Sequence, residues 1–280
     1  MNQKVAVVTG SSSGIGLLTA VELAKRGFRV VATMRDLARR SALEEAARAA
    51  GVADGIDVRR LDVTEFDSLP RIVGEIVGGH GRIDVLVNNA GFALAGFLED
   101  LRLPEIRQQF ETNFFGQVAM TQAVLPVMRR QRSGHIIIVS SISGVVGQPV
   151  VGAYSASKFA LEGWSEALRI ETRALGIRVV LIEPGAFRTD IWDRNVRIGE
   201  FAVSPESPNH ERGARFSEAI KRVRKADPIA VARLIARIAQ DPNPRLRYRV
   251  GHDAHIQKWL RALLPWRLYE RLVGKAVGIN

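Results

Sequence analysis

Short runs of apolar residues recur along most of this chain, and each is followed by a stretch with the periodicity of an α-helix. The runs are rich in β-branched residues and apolar on both faces, which is typical of strands buried between two layers of helices. Such strands pair in parallel when helices connect them. The alternation therefore predicts an α/β fold: a single doubly wound (Rossmann-type) parallel sheet with helices on both faces.

The boundaries of the predicted elements come from glycines that end helices and prolines that begin them. Strands are expected at Lys4–Thr9, Phe28–Thr33, Ile56–Leu61, Ile83–Val87, Gly134–Ser140, Ile177–Ile182 and Leu246–Val250. Helices are expected at Ile15–Arg26, Asp36–Ala50, Phe66–Val77, Pro104–Arg130, Ala153–Leu175 and Asp227–Gln240. Pro126 should kink or end the fourth of these helices. Since no repeat or linker divides the 280 residues, residues 1–280 are expected to form one domain.

The composition narrows the class of protein. The chain has no cysteine, which excludes disulfides and thiolate chemistry, and its five histidines lack the spacing of metal ligands. No apolar run approaches the roughly 18 residues of a membrane helix, and a strand that begins at Lys4 leaves no room for a signal peptide, so a cytoplasmic protein is expected. The net charge of +11 raises the alternative of nucleic-acid binding. That alternative is disfavoured because the arginines are scattered and no nucleic-acid motif is present.

A glycine-rich turn, Thr9-Gly10-Ser11-Ser12-Ser13-Gly14-Ile15-Gly16, separates the first predicted strand from the first predicted helix. Glycines at such a turn let the backbone approach a pyrophosphate, and a helix N-terminus offers N–H donors and a partial positive charge. A tight turn without a ligand can have a similar composition, but the position between a strand and a helix favours a dinucleotide site. The contacts expected there are Gly10, Ser12, Ser13, Gly14, Ile15 and Gly16.

The end of the second predicted strand bears on the choice of dinucleotide. Proteins that prefer NAD carry an acidic residue there, which binds the ribose 2′-hydroxyl. Here Met34 occupies that place and Arg35 follows directly. Because a guanidinium can bind a 2′-phosphate, NADP(H) is expected in preference to NAD(H). The alternative is that Arg35 is solvated and Asp36 binds the ribose, although Asp36 is better placed to cap the next helix.

Three further residues form a pattern that indicates catalysis. Tyr154 and Lys158 are four residues apart on a predicted helix and therefore face the same side. Ser141 ends the fifth predicted strand, at the edge of the sheet where doubly wound folds bind ligands. A Tyr-x-x-x-Lys pair by itself usually consists of two unrelated surface residues. Here the pair indicates catalysis because Ser141 and the glycine loop occur in the same chain. Ser141 as a hydrolase nucleophile is disfavoured, because no G-x-S-x-G turn or suitably placed histidine accompanies it.

Taken together, the glycine loop, the run Asn88-Asn89-Ala90-Gly91 and the set Ser141, Tyr154 and Lys158 resemble the short-chain dehydrogenase/reductase family. The resemblance extends over about residues 4 to 190. Further runs are similar to the hydroxysteroid and retinol dehydrogenase branch of that family. They are Ala32-Thr33-Met34-Arg35-Asp36, Ser157-Lys158-Phe159-Ala160-Leu161-Glu162-Gly163 and Arg247-Tyr248-Arg249-Val250-Gly251.

The resemblance implies roles for residues that would otherwise be read as ordinary turns. Asn113, in the long predicted helix, would hold a water in a proton relay that ends at Lys158. Lys158 would also hold the nicotinamide ribose, and Tyr154 would lie beside the same group. The other implied cofactor contacts are Asp62 and Val63 at the adenine, Asn89, Ala90 and Gly91 near its ribose, and Pro184, Gly185 and Thr189 at the nicotinamide carboxamide.

The implied reaction is hydride transfer to or from a carbonyl carbon, with Tyr154 exchanging the proton. The reference pKa of tyrosine is about 10, so the Lys158 ammonium and a positively charged nicotinamide are expected to lower the pKa of Tyr154. Ser141 would hydrogen-bond the substrate oxygen. The alternative is a non-catalytic NADP(H)-binding sensor of the same fold, against which the complete set of Ser141, Tyr154 and Lys158 argues.

The expected substrate is a lipophilic ketone, aldehyde or alcohol, steroid-like, retinoid-like or long-chain, because the predicted pocket wall is mostly apolar. The polar segment 188–225 is expected to be a mobile excursion from the sheet rather than a further layer of the fold. The residues expected to contact the substrate are Ser141, Val146, Tyr154, Phe187 and Trp192.

The segment 255–280 alternates apolar and basic residues. We expect it to pack on the body of the protein or on a neighbouring subunit, and peripheral contact with an anionic membrane is the alternative. The family resemblance also implies a homodimer or homotetramer formed through the helices that carry Asn113 and Tyr154. The candidate interface is Phe159, Leu161, Trp164 and Leu168.

Overall fold

The computed structural model describes residues 3–189, 191, 195–221, 223 and 225–279. At its centre lies a seven-stranded sheet in which every neighbouring pair of strands is parallel. In spatial order the strands are β3 (Ile56–Arg60), β2 (Arg29–Met34), β1 (Val5–Thr9), β4 (Val85–Asn88), β6 (Gly134–Val139), β7 (Ile177–Pro184) and β9 (Arg247–Val250). The predicted doubly wound α/β fold is confirmed.

Helices cover both faces of this sheet. One face carries α1 (Gly14–Lys25), α2 (Ser41–Ala49) and α8 (Ile229–Ile238), and the other carries α3 (Leu69–His80), α5 (Gly116–Gln131) and α6 (Gly152–Thr172). Alternate residues of each strand enter the two apolar layers: Val7 packs with the α5 side, and Val8 with the α1 side. Strands that are apolar on both faces thus follow from burial between two helical layers.

The order of the strands reverses between β1 and β4. The chain moves outwards from β1 to β2 and β3, then returns to β4 and proceeds the other way. The loops after β1 and β4 therefore diverge at the carboxyl end of the sheet and leave a crevice between them. In open α/β sheets this switch point is where ligands bind.

The long helix predicted from Pro104 to Arg130 is divided into three parts. α4 (Leu103–Phe110) is followed by a π-helical turn at Glu111–Phe115, and α5 begins at Gly116. Pro126 lies inside α5, which continues to Gln131. Pro126 therefore does not end the helix, and of the two predicted outcomes only a kink is left. The departure from regular α-helix occurs at the turn that contains Asn113, where the backbone winds more widely.

The segment 188–225 is more regular than predicted. Its strand β8 (Val196–Ile198) pairs in parallel with β5 (Ala93–Ala95), which follows β4, and α7 (His210–Lys221) comes next. β5 and β8 have three residues each, which is too short for a recognisable alternation, and α7 is predominantly polar. The sequence pattern therefore did not reveal these three elements.

The C-terminal segment forms two helices, α9 (His252–Leu263) and α10 (Trp266–Ala276), with Pro265 between them. One side of the pair packs on the body, where Ala254 and Tyr269 contact Ile142 and Val146. The other side is exposed. No helix within the described residues is long and apolar enough to cross a membrane.

Candidate active site

The turn between β1 and α1 brings three backbone segments into unusually close contact. Gly10 has a φ of +69°, and a Cβ on it would lie 2.8 Å from the Cα of Ala90. A Cβ on Gly16 would lie 2.3 Å from the Gly10 carbonyl oxygen and 2.4 Å from the Asn89 Nδ2. Glycine at these two positions is therefore required by the packing of the turn against the end of β4.

Hydrogen bonds hold the same segments together. The Asn89 side-chain amide donates to the carbonyl oxygens of Thr9 (2.9 Å) and Gly10 (3.1 Å). In return, the Thr9 hydroxyl accepts from the backbone N–H groups of Asn89 (3.0 Å) and Ala90 (3.1 Å). Asn89 thus shapes the glycine turn from behind.

The first turn of α1 is prepared for an anion. It contains no acidic residue, and the Ser13 side chain at the N-cap makes no capping hydrogen bond. The terminal N–H groups and the positive end of the helix dipole are therefore available to a ligand. These donors and the helix dipole suit an anionic group such as a pyrophosphate, and a Cβ at Gly10 or Gly16 would distort the turn that presents them.

The end of β2 carries the residues expected to select the nucleotide. Met34 is buried, whereas Arg35 is exposed on the cavity side and forms no ion pair within the described part of the chain. The Asp36 carboxylate accepts a hydrogen bond from the Ala38 N–H at 2.9 Å and caps the following helical turn. Asp36 therefore caps the following helical turn, as predicted.

Loops from β3 and β7 close the rest of the cleft. Asp62 accepts two hydrogen bonds from Thr64, at 3.0 Å from its N–H and 2.8 Å from its hydroxyl. After β7, the carboxylate of Asp253 in α9 accepts from the Ala186 N–H at 2.6 Å, and a Cβ on Gly185 would lie 2.2 Å from the same carboxylate. A Cβ on Gly14 would come within 3.6 Å of the Thr189 Cβ. The glycine turn and the β7 loop thus face one another.

One cavity of about 2210 Å³ unites these loops with the predicted catalytic residues. Gly16 is buried beneath its floor and does not line it. The predicted cofactor contacts that do line it are Gly10, Ser12, Ser13, Gly14, Ile15, Arg35, Asp62, Val63, Asn89, Ala90, Gly91, Tyr154, Lys158, Pro184, Gly185 and Thr189.

Ser141, Tyr154 and Lys158 meet in this cavity, where β6 ends and α6 begins. All three are at most 8% exposed. The hydroxyl of Tyr154 hydrogen-bonds with that of Ser141, and the Ser141 Oγ also accepts from the Ser143 N–H at 3.1 Å. The Lys158 Nζ lies 5.8 Å from the centre of the Tyr154 ring and donates to the Val139 carbonyl oxygen at 2.8 Å.

The protonation equilibria of this pair differ from the sequence-based expectation. Burial raises the pKa of Tyr154 to about 12, and the hydrogen bond with Ser141 opposes that rise only partly. Burial lowers the pKa of Lys158 to about 8, against the opposite effect of the Glu162 carboxylate. The expected lowering of the Tyr154 pKa is therefore not produced by the protein groups alone, because desolvation outweighs the favourable contacts.

Asn113 is fully buried in the π-helical turn and does not line the cavity. Its side chain donates to the Phe92 carbonyl oxygen at 2.9 Å and accepts from the Phe92 N–H at 3.0 Å, so it clamps the segment after β4. It also donates to the Ser157 hydroxyl at 3.4 Å, one residue before Lys158. The side chain thus binds the Phe92 backbone and the Ser157 hydroxyl, and its predicted role in a water relay stays a prediction.

The predicted substrate residues have different locations. Phe187 lines the cavity, whereas Val146 packs behind the wall against Tyr269 and is 1% exposed. A direct contact of Val146 with substrate is therefore not supported, because its side chain is covered by the C-terminal helices. Trp192 lies outside the described residues.

Sequence reasoning missed much of the cavity wall. Gln257 of α9 lines the cavity, and its side-chain oxygen accepts a hydrogen bond from the Gln148 Nε2 at 2.6 Å. The C-terminal helices add further lining residues, Leu260, Leu264, Tyr269, Leu272 and Val273. The amphipathic pattern of the segment indicated helices, but a pattern does not identify the surface that a helix covers.

A group of buried charges behind Lys158 was also missed. Glu162 lies one turn beyond Lys158 on α6, and its carboxylate is 3.0 Å from the Arg247 Nε of β9. Glu183 of β7 is fully buried and pairs with Arg247 at 3.1 Å and Arg249 at 2.7 Å. The outer Arg247 nitrogen reaches the exposed Glu166 at 2.5 Å. The network connects the lysine to the edge of the sheet through residues far apart in sequence.

Comparison with known proteins identifies relatives over nearly the whole chain. A family model described as short chain dehydrogenase matches residues 4–197. An uncharacterized oxidoreductase of Bacillus subtilis is 42% identical over 98% of this chain and 99% of its own length. A 3-ketodihydrosphingosine reductase of Bacteroides thetaiotaomicron is 38% identical, covering 90% and 89% of the two chains. Retinol dehydrogenase 8 of Bos taurus is 38% identical, covering 89% and 81%.

Solved structures show the same fold. A short-chain dehydrogenase from Streptomyces avermitilis has a TM-score of 0.82 at 32% identity, with 97% of each chain covered. A metagenomic short-chain oxidoreductase in complex with NADP has a TM-score of 0.70 at 29% identity, over 88% and 96%. A Burkholderia phymatum enzyme in complex with NAD has a TM-score of 0.79 at 26% identity, over 93% of each chain. Both nucleotides thus occur among similar structures.

Proposed function

The chain belongs to the short-chain dehydrogenase family and is an NAD(P)-dependent oxidoreductase, and we propose that it uses NADP(H) to interconvert a lipophilic ketone or aldehyde and the corresponding alcohol. One observation carries the proposal. Tyr154, whose hydroxyl hydrogen-bonds with Ser141 and whose ring centre lies 5.8 Å from the Lys158 Nζ, lines a cavity that also contains the N-terminus of α1 and a largely apolar wall.

The chain's own residues have distinct tasks in this reaction. A reduced nicotinamide, when bound, supplies the hydride. Ser141 and Tyr154 would both donate hydrogen bonds to the carbonyl oxygen, which polarises the carbonyl group and holds it in place. Tyr154 would then give its proton to that oxygen as negative charge develops there. Lys158, anchored on the Val139 carbonyl, would bind the ribose hydroxyls and favour the tyrosinate that is left behind.

The preference for NADP(H) rests on the end of β2. Arg35 is exposed beside the cleft and has no acidic partner among the described residues, and the nearby Asp36 is engaged as a cap. A 2′-phosphate placed there would gain a charge-assisted hydrogen bond from Arg35 and meet no free carboxylate. NAD(H) would gain no equivalent contact from Arg35.

The lipophilic character of the substrate rests on the cavity wall and on the relatives. Side chains such as Phe97, Ile191, Leu260 and Leu264 line the same cavity as Tyr154. Relatives named for 3-ketodihydrosphingosine and for retinol are each 38% identical to this chain. We infer a substrate of the same chemical kind: a ketone, aldehyde or alcohol attached to a long-chain, retinoid-like or steroid-like body.

The test is oxidation of the reduced nicotinamide, followed by its absorbance, with NADPH and NADH in parallel. Candidate substrates are a 3-ketosphingoid base, retinal, a steroid ketone and a small water-soluble ketone. We expect turnover of an apolar carbonyl with NADPH, and a loss of at least about 100-fold in Tyr154→Phe, the scale of acid catalysis. Tight NADPH binding without turnover of any carbonyl would instead support the sensor function.

Arg35→Ala tests the cofactor preference separately. Loss of one charge-assisted phosphate contact should raise the KM for NADPH roughly tenfold and leave that for NADH unchanged. Arg40→Ala is the matched control, since Arg40 is exposed nearby but paired with Glu44 at 3.2 Å. A wild-type preference for NADH would contradict this part of the proposal and leave the reaction type standing.

We also propose that the protein is a homo-oligomer that uses the face of α6. Leu161 and Leu168, which were predicted to lie in the interface, are in the core and are excluded from it by their burial. Phe159 is 45% exposed on α6 and Phe115 is 46% exposed on the adjoining π-helical turn. This exposed aromatic pair is the better candidate for a subunit contact.

A further inference from the structure

We propose that the exposed face of α9 and α10 docks the protein on an anionic lipid bilayer, next to the entrance of the active-site cavity. The docking itself rests on the surface alone, whereas its use for substrate entry rests on the proposed function. We refer to this face as the apolar ridge. It consists of Ile256, Trp259, Leu260, Leu263, Trp266, Leu268 and Leu272.

The side chains of the apolar ridge are exposed, although the fold does not need them to be. Trp259 is 62%, Leu263 71% and Trp266 53% exposed, although the same helices bury Ala254 and Tyr269 against the body. The two helices are therefore already held in place by their inner side. Large contiguous apolar patches on a protein surface mark sites of interaction.

The charges on these helices identify the partner. Lys258, Arg261, Arg267, Arg271 and Lys275 accompany the apolar ridge. The acidic residues are Glu270 and Asp253, of which Asp253 is turned to the body and bound to the Ala186 N–H. Helices with an apolar face, two tryptophans and flanking bases suit the interface of a bilayer, where the rings occupy the headgroup level and the bases reach anionic lipids.

A second copy of the chain is a poorer occupant. In a two-fold symmetric dimer the same patch faces itself. Such a contact would oppose the bases of one copy to those of the other, with Glu270 as the single free acid on each side. An anionic bilayer instead supplies the missing negative charge and accepts the apolar side chains.

The apolar ridge is continuous with the cavity. Leu260 and Leu272 are each more than a third exposed and also line the cavity, so they form its rim. Tyr269, directly inside that rim, packs on Ile142, the residue after Ser141. An apolar molecule in the bilayer would thus have a short path along apolar side chains to the hydroxyls of Ser141 and Tyr154.

The experiment is sedimentation of the full chain with phosphatidylcholine vesicles and with equimolar phosphatidylcholine and phosphatidylserine vesicles. We expect binding to the anionic vesicles at least about tenfold tighter than to the neutral ones, and its loss at high salt. The variant Trp259→Ala/Leu263→Ala should weaken vesicle binding by about tenfold or more. Neither side chain lines the cavity, so turnover of detergent-solubilised substrate should be unchanged. Ile170→Ala, at an exposed position of α6, is the control and should bind like the wild type.

Equal binding to both vesicles, or no sedimentation with either, would overturn the proposal. The proposal would also be overturned if the wild type were a dimer and the variant Trp259→Ala/Leu263→Ala were a monomer, because the apolar ridge would then be a subunit interface. Failure of the proposed function would look different: no carbonyl would be reduced in detergent, whatever the vesicles show. Faster turnover of an apolar substrate in anionic vesicles than in detergent, lost in the double variant, would support entry from the bilayer.

Discussion

At Tyr154 and Lys158, burial favours the neutral form of both side chains. The pKa of the tyrosine rises to about 12 and that of the lysine falls to about 8, each chiefly because the charged form is poorly solvated. The groups that oppose this desolvation are few: Ser141 at the tyrosine and Glu162 at the lysine. A positively charged nicotinamide beside Tyr154 is the further charge that would favour the tyrosinate.

The Glu162 carboxylate supports the ammonium form of Lys158, because its charge raises the pKa of the lysine. Burial raises the pKa of Glu162 itself, and hydrogen bonding from Ser140 and the charge of Arg247 oppose that rise. The carboxylate is thus held next to the lysine by β9, through Arg247. We therefore propose that Glu162 is a positioning residue, which would act on the reaction through Lys158.

We predict that Glu162→Gln shifts the pH profile of kcat/KM. The Glu162 carboxylate raises the pKa of Lys158. Without this carboxylate, the pKa of Lys158 should fall below its wild-type value of about 8. The ammonium form exists below the pKa, and the alkaline limb that reports its loss should therefore move to lower pH. Glu166→Gln is the matched control, because Glu166 pairs with the same Arg247 but is exposed. Alkaline limbs that coincide in wild type and Glu162→Gln would show that Glu162 is only structural.

At the scale of elements, the turn before α1 depends on close contact between backbone segments rather than on side-chain chemistry. The Gly16 Cα lies where any Cβ would meet the Gly10 carbonyl and the Asn89 amide. Because the same contacts orient the N-terminus of α1, an added methyl group should displace that N-terminus while leaving the sheet intact.

We predict that Gly16→Ala weakens NADPH binding by roughly 100-fold, since the backbone can no longer approach the pyrophosphate. The measurement is the Kd from nucleotide fluorescence. Gly74→Ala is the control, because Gly74 is exposed in the interior of α3 with nothing within 4 Å of an added Cβ. That variant should bind normally and gain about 0.5–1 kcal/mol in the free energy of unfolding measured in urea. Wild-type affinity in Gly16→Ala would contradict the packing argument.

The strands and helices of the sheet were predictable because each is encoded by a local pattern. Val5–Thr9 and Ile177–Pro184 consist mostly of apolar residues, and Gly27 and Gly51 follow the ends of α1 and α2. The misassigned elements depend on distant partners. β5 exists only because β8 pairs with it, and the π-helical turn at Asn113 is stabilised by Phe92, 21 residues earlier.

At the scale of the whole molecule, the candidate site likewise has one part that could be predicted from the sequence and one part that could not. That motif residues such as Gly10, Ser141 and Tyr154 line one cavity was predictable, because the family's motifs restrict both residue type and spacing. The wall formed by α9 and α10, and the charge network from Glu162 to Arg249, were not predictable. Each consists of ordinary residues whose meaning comes from elements brought together only by the fold.

We predict that Phe159→Glu shifts the protein towards the monomer in light scattering. The side chain is 45% exposed on α6, so a charge there should oppose a subunit contact and change the stability of the monomer by only about 0.5 kcal/mol. Ile170→Glu, more exposed on the same helix, is the control and should keep the wild-type mass. An unchanged mass for Phe159→Glu would place the subunit contact elsewhere.

The contact between Gly185 and Asp253 has an evolutionary consequence. The carboxylate at the start of α9 occupies the space that a side chain at position 185 would fill, and it binds the next N–H of the β7 loop. Neither position can change freely while the other is kept. Descendants of this sequence that retain the two C-terminal helices should therefore inherit glycine at 185 and a short acid at 253 as a pair, and lineages that lose the helices should be released from both.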